Sequence, residues 1–253
     1  MSSRSRHGFT LIELSIVLVI IGLIVGGVMV GQVLIKAAKI RSAASQLQHY
    51  SAAYQTFELK YGCIMGDCPN ATDFFGSTYV SPSAYAGCTN ATNGIGNGDG
   101  DGFITSGGAT VIYCESMFAV KSLQLSNLLP TTLRNTCTNT SNYMFNGINN
   151  GCAHFWVDDL YNKTPTKSLN TITWTFVGPS TGANTRYPTL SPVEARGIDE
   201  KIDDGIPNNG KFYGLDTASL AVGTGVTVVN SCQTGGVYNT NETLTCRIVY
   251  YLE

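Results

Sequence analysis

Between Glu13 and Lys36 the chain has no charged side chain, and Leu14 to Ile35 form an unbroken run of 22 residues that lack charge. Charge is scarce everywhere, at 13% of residues against about 25% in an ordinary domain. Gly, Ser, Thr and Asn take its place, a loop-rich, extracellular composition rather than that of a cytosolic enzyme. Basic residues are the scarcer sign. From Gly62 onward nine Lys and Arg stand against 15 Asp and Glu, a net charge of −6, which argues against a broad basic nucleic-acid surface. The count does not address a local patch. Metal-binding cysteine spacing is missing too: there is no Cys-x-x-Cys, and His154 is the sole histidine after Gly62, so a zinc site has poor material. No Ala-x-Ala-like site follows the apolar run, which also exceeds the roughly 7–15 residues of a signal-peptide core. An uninterrupted apolar stretch of this length is a membrane span rather than a buried core helix. As a helix its 22 residues cover about 33 Å, enough to cross a bilayer.

What is present begins at Gly8-Phe9-Thr10-Leu11-Ile12-Glu13. A short basic leader with Arg4 and Arg6 ends at Gly8, and a lone carboxylate, Glu13, opens the apolar helix. A carboxylate in hydrocarbon is costly and usually has a partner. This arrangement, continued by Leu14, Ser15, Ile16 and Val17, resembles the N-terminus of type IV pilins and of the pseudopilins of type II secretion. The resemblance implies cleavage by a prepilin peptidase between Gly8 and Phe9, N-methylation of Phe9, and a role for Glu13 in assembly. An ammonium freed on Phe9 of a neighbouring subunit is the natural partner for Glu13 in a low dielectric. Gly22, Gly26, Gly27 and Gly31 are spaced along the span, with Gly22 and Gly26 at the Gly-x-x-x-Gly spacing that lets helices approach closely. Many pilins carry a proline about two-thirds along this segment; Val30 stands there, so local melting would rest on the glycines.

The helix is expected to continue beyond the membrane. Ile40, Ala43, Leu47, Tyr50, Tyr54, Phe57 and Tyr61 recur at steps of three and four, an apolar stripe on which a soluble domain can pack, and Gly62 follows as a stop. The expected division is therefore a leader over 1–8, a long helix over 9–61 that is transmembrane over about 14–35, and a globular domain over 62–253. Ser116 to Leu129 predicts a short amphipathic helix closed by Pro130. Thr171–Val177, Val226–Val229 and Thr243–Leu252 predict strands. Ser191-Pro192-Val193-Glu194 is a capping box with proline at the first helical position; it opens a helix to about Asp204 that stops at Gly205, its Asp203-Asp204 pair a solvated end or, as the lesser alternative, another source of oxygen ligands. With the resemblance, the fold class is α+β and pilin-like: a long N-terminal helix on a loop-rich, disulfide-stapled antiparallel β domain.

Cys63, Cys68, Cys88, Cys114, Cys137, Cys152, Cys232 and Cys246 all follow the span. An even count on one side of a membrane suits disulfides in an oxidising compartment, outside the cytoplasm. The positive-inside comparison of Arg4 and Arg6 with Lys36, Lys39 and Arg41 gives no orientation. Eight cysteines allow about 105 pairings, so the connectivity stays open; pairing between sequence neighbours is the expectation, and its last pair would resemble the C-terminal disulfide loop of pilins.

Asn97-Gly98-Asp99-Gly100-Asp101-Gly102-Phe103-Ile104 has oxygen ligands at alternate positions, a turning glycine and an apolar anchor, half of an EF-hand. Gly108 stands where the bidentate Glu would be, so a remote carboxylate such as Glu115 would have to complete a calcium shell with Asn97, Asp99 and Asp101. The other reading is a glycine-rich turn with solvated carboxylates. Calcium is thus an optional ligand, and no cofactor is required. Gly178-Pro179-Ser180-Thr181-Gly182 imitates a nucleophile elbow, yet no His follows Ser180 and no helix start follows the turn. His154 near Asp158 and Asp159 is ordinary for a surface or half-buried histidine. Catalysis is not expected. Gly66–Ala71, Gly98–Gly102 and Ile198–Pro207 resemble blocks in a group of proteobacterial prepilin-like proteins, without bringing a substrate or cargo.

The family likeness implies a single-pass subunit in the bacterial inner membrane, with its C-terminal domain in the periplasm. Its partners would be the peptidase, membrane lipid, an inner-membrane assembly platform, and copies of itself or other pilins in a filament. The alternatives are a type II secretion pseudopilin and a minor tip pilin that binds a surface or DNA.

Overall fold

The computed structural model describes residues 10–76, 96–104, 114–129, 145–146, 152–158, 169–177, 186–188, 190–216 and 231–252. The chain divides into two units, Met1–Ile40 and Arg41–Glu253, and helix α1 (Leu11–Tyr61) runs through both. Among the described residues α1 is the one helix long and apolar enough to cross a membrane. Its large apolar side chains from Leu11 to Ile35 are between 50% exposed, at Ile20, and 92% exposed, at Leu11. Among the described residues of the first unit nothing packs on the span's glycines: a Cβ added at Gly22, Gly26, Gly27 or Gly31 would meet no atom within 4 Å.

In the second unit the stripe behaves as its spacing predicts. Ala43, Ala44, Leu47, Tyr50, Ala53, Tyr54 and Phe57 are buried and Tyr61 is half-buried; Ile40, the last residue of the first unit, is half-buried too. Removing Leu47 and Phe57 wholly from water stabilises by about 1.5–3 kcal/mol each. The helix ends at Gly62, whose φ of 69° suits glycine and whose N–H still bonds to Glu58 O at 2.8 Å.

The domain carries α2 (Ala71–Phe75), α3 (Cys114–Leu125) and α4 (Pro192–Ile202). Its strands are β1 (Phe145–Asn146), β2 (Cys152–Asp158), β3 (Leu169–Val177), β4 (Arg186–Tyr187), β5 (Phe212–Asp216), β6 (Gln233–Thr234), β7 (Val237–Tyr238) and β8 (Cys246–Tyr251). The main sheet runs β1-β2-β3-β8-β5 with β4 paired to β3, and all of its described pairings are antiparallel. Register sets one row of partners across four strands: Phe155 opposite Ile172, Ile172 opposite Tyr250, and Tyr250 opposite Phe212. All four are buried, because α1 lies over this row. Tyr50 meets Phe155 edge to face at 6.4 Å, and Ser51 hydrogen-bonds Tyr250. Every residue of β8 is buried, so this strand is covered on both faces.

α4 opens on the expected capping box: Glu194 N donates to Ser191 Oγ at 3.3 Å and Ser191 N donates to Glu194 Oε2 at 3.0 Å. β6 and β7 form a two-residue hairpin in which Gly235 and Gly236 have φ of 62° and 81°, the positive values a type I′ turn demands. The α+β architecture expected from the resemblance is present: a long N-terminal helix, small antiparallel sheets and disulfide staples. Differences are local. The third helix starts at Cys114 rather than Ser116 and ends at Leu125. The last strand starts at Cys246, opposite Asp216 at the end of β5. Val226–Val229 lies outside the described residues. At the end of α4 Asp204 is exposed, as a solvated end requires, and Asp203 is half-buried; both also accept hydrogen bonds, as described below.

Candidate functional site

The head of α1 is a capping box. Thr10 O accepts the N–H of Leu14 at 3.2 Å, which makes Thr10 the residue before the first helical turn. Its hydroxyl accepts from Glu13 N at 3.3 Å. Glu13 Oε2 in turn accepts from Thr10 N and from Thr10 Oγ1, both at 2.8 Å. One carboxylate oxygen therefore satisfies a helix-start N–H that would otherwise lack a partner. The pattern Thr10-x-x-Glu13 before an apolar run was the signal for this box, and the reading of the motif passed over it. Both residues are exposed, so the carboxylate stays open to a second donor from outside the chain. Gly8 and Phe9, the expected cleavage and methylation positions, lie outside the described residues.

The acidic loop is built around a residue the sequence reading did not choose as a ligand. Asp67, almost fully buried at 3% exposure, accepts from Gly100 N at 2.6 Å and from Gly102 N at 2.8 Å. Burial pushes its carboxyl up to about 6, against the pull of the Gly102 and Gly100 N–H groups and with smaller upward pushes from Asp101 and Asp99. One carboxylate oxygen from each of Asp67, Asp99 and Asp101 lies within 4.8 Å of the others. Asn97 turns elsewhere: its Oδ1 accepts from Thr72 N at 2.9 Å and its Nδ2 donates to Thr72 Oγ1 at 3.1 Å. Glu115, buried at the start of α3, accepts from Asp99 N at 3.3 Å. It steadies the loop backbone without joining the carboxylate trio. Asp99 and Asp101 also brace the loop, accepting from Asp101 N at 3.2 Å and Phe103 N at 2.8 Å. Glycine is required at two points of close approach. A Cβ on Gly98 would stand 2.3 Å from the Asp67 backbone, and one on Gly66 would stand 2.2 Å from Glu115 O.

Two disulfides join sequence neighbours, Cys63 to Cys68 and Cys232 to Cys246, with Cα separations of 5.3 Å and 4.8 Å. These match the neighbour pairing expected for them. Cys88 and Cys137 lie outside the described residues, and for Cys114 and Cys152 only the backbone, at the starts of α3 and β2, is described. Gly178–Gly182, the elbow imitation, and Asp159 lie outside as well. His154 and Asp158 sit on β2.

A family model described as the prokaryotic N-terminal methylation motif matches residues 3–29. That range holds Gly8, Phe9, Thr10, Glu13 and most of the exposed apolar run. No curated protein and no solved structure matches the chain.

Proposed function

From a chain that carries the prepilin signature of type IV pilins and pseudopilins, we propose a subunit that a prepilin peptidase cuts between Gly8 and Phe9. The new amine on Phe9 is methylated, and the subunit joins a type IV pilus or a pilus-like filament. The observation that carries this reading is the bare first half of α1. It exposes 18 large apolar side chains from Leu11 to Ile35, which are stable only in lipid or against other helices. In the membrane they face lipid. In the filament they face neighbouring copies, and Glu13, oriented by Thr10, takes the Phe9 amine of a neighbour. The disulfide-stapled domain sits in the periplasm and then on the filament's outside, and the role is structural rather than catalytic. The experiment is expression of Glu13→Val in place of the natural subunit. The expected product is a processed, membrane-held protein missing from sheared filaments. Filaments containing the variant at the natural level would overturn the assigned role of Glu13.

The acidic loop supports a second, smaller proposal: calcium held by Asp67, Asp99 and Asp101. The donors are hard oxygens of the right type, they converge, and a calcium shell takes six to eight oxygens, so backbone carbonyls or water would complete it. The ion would offset the mutual repulsion of the three carboxylates and stiffen residues 96–104. Calcium added to the chelated, detergent-solubilised protein should raise its melting temperature, and Asp99→Asn with Asp101→Asn should abolish the rise. An unchanged melting temperature at millimolar calcium would refute it.

A further inference from the structure

Away from both of these places, three elements meet at one buried carboxyl. Asp199, on α4, is fully enclosed at 0% exposure. Its Oδ2 accepts from the Tyr238 hydroxyl at 2.9 Å and its Oδ1 accepts from Gly205 N at 3.2 Å. Tyr238 belongs to β7, inside the loop closed by Cys232 and Cys246, and is itself buried. Its ring fills space that β5 leaves open only because residue 214 is glycine. A Cβ there would lie 2.3 Å from Tyr238 Cε1.

The surroundings of Asp199 carry the same charge. One carboxylate oxygen each from Asp199, Asp203 and Asp204 lies within 4.8 Å of the others. The two neighbours, Asp203 half-buried and Asp204 exposed, are each held by hydrogen bonds. Asp203 Oδ2 accepts from Lys211 N and from Phe212 N, the latter at 2.9 Å. Asp204 accepts from Ile206 N at 2.8 Å and from Asn209 Nδ2 at 2.5 Å. The other titratable or charged groups on the elements around Asp199 are few. On α4, Glu200 is exposed and paired with Arg196 at 2.7 Å, and Lys201 is exposed. β5 brings Tyr213, whose hydroxyl is raised by burial and by Asp203 and Asp204, and Asp216, whose Oδ1 accepts from Cys232 N and from Gln233 N at the start of the same loop, the latter at 3.4 Å. β8 brings Tyr250, raised by burial and, in smaller part, by Asp203, together with the buried Arg247. The Tyr238 hydroxyl is raised as well, first by burial and then by Asp199, so it stays a donor.

We propose that the Asp199–Tyr238 contact is a proton-dependent latch that fastens the Cys232–Cys246 loop to α4, tight when Asp199 is neutral and loosened when it ionises. Ionising the enclosed Asp199 carboxyl places a third like charge beside those of half-buried Asp203 and exposed Asp204. Lifting the β6–β7 hairpin removes the Tyr238 ring and lets water reach it. Burial, with the Asp203 and Asp204 charges behind it, raises the Asp199 carboxyl to about 7 against the bonds from Tyr238 and Gly205. In the opened loop its value is that of an ordinary carboxylate, about 4. A group raised in the closed state favours closure fully below its open-state value, and that preference is lost as pH rises through the closed-state value. The window therefore lies between about pH 4 and pH 7, and the latch is loose at and above neutrality.

Hydrogen exchange of the full-length, detergent-solubilised protein tests this, with chelator present and rates corrected for intrinsic exchange. Protection of the Gln233–Tyr238 amides should fall about tenfold per pH unit from pH 5 to 6.5 and level off above about pH 7.5. Asp199→Asn should flatten the profile. Asp204→Asn, which keeps Asp199 but removes one like charge, should retain the slope and move the levelling point to lower pH. A wild-type profile without slope would overturn the latch, whatever the variants do. So would a sloping Asp199→Asn profile, or an Asp204→Asn profile that levels at the wild-type pH.

Discussion

Replacing Phe57 by alanine tests whether the second half of α1 is the core of the globular domain rather than a stalk beside it. Phe57 is fully buried, its ring 4.5 Å from that of Tyr61 and 6.2 Å from that of Phe75. Truncating a buried phenylalanine costs about 3–5 kcal/mol through lost transfer energy and the cavity left behind. The aromatic neighbours add about 0.5–1.5 kcal/mol for each well-placed ring pair. For a unit of about 200 residues each kcal/mol moves the melting temperature by roughly 2–4 °C, so Phe57→Ala should melt about 10 °C lower. Leu59 is the control within the same turn. It is 88% exposed, and Leu59→Ala should change stability by no more than about 0.5 kcal/mol. Near-UV circular dichroism of the detergent-solubilised chain follows the transition without being swamped by the helix in the micelle. Equal shifts for the two variants, or a Phe57→Ala shift under about 2 °C, would refute the burial of this half of α1 in the domain's core.

At the head of the helix, Glu13→Gln separates two roles of one side chain. Glutamine can fill the third position of a capping box as glutamate does, so if the charge matters the variant should keep its helix yet be lost from sheared filaments. Thr10→Val, which removes the hydroxyl but keeps the carboxylate, should reduce incorporation less; equal incorporation of Glu13→Gln and the natural subunit would leave capping as the only function. The disulfides differ in reach. Cys232 and Cys246 are 14 residues apart, and replacing both by serine should cost about 3 kcal/mol, against about 2 kcal/mol for Cys63 and Cys68, whose loop is shorter. Denaturant titrations of the two double variants check that order.

What could be read in advance was local or periodic. The C-terminal end of α1 at Tyr61, its buried stripe, the stop at Gly62 and the capping box at Ser191 each depend on residues a few positions apart, where side-chain spacing dictates which atoms meet. Strands were legible only where β-branched and aromatic residues ran unbroken, as in β3 and β8. β5 was missed because Gly214 and Asp216 interrupt such a run. The glycine is there to admit the ring of Tyr238, and Asp216 Oδ1 is there to accept the Cys232 N–H. The hairpin of β6 and β7 was missed because each strand has two residues, too few for any alternation, although Gly235-Gly236 marks its turn.

The carboxylates show the same boundary more sharply. Asp99 and Asp101 stood out because a ligand pattern repeats every second residue, whereas Asp67 reaches the loop from more than 30 positions earlier with nothing in its own segment to announce it. Asp203 and Asp204 looked like a solvated helix end because two adjacent carboxylates usually are. Only the return of the chain at Lys211 and Phe212 gives Asp203 its donors, and only β7, 39 residues from Asp199, closes the enclosure in which a third carboxyl is buried. Buried acids reveal themselves through the elements that cover them. At Glu13 none of the described residues covers the carboxylate; in the proposed filament an exposed carboxylate heading a bare apolar helix is a group whose environment the next subunit would supply.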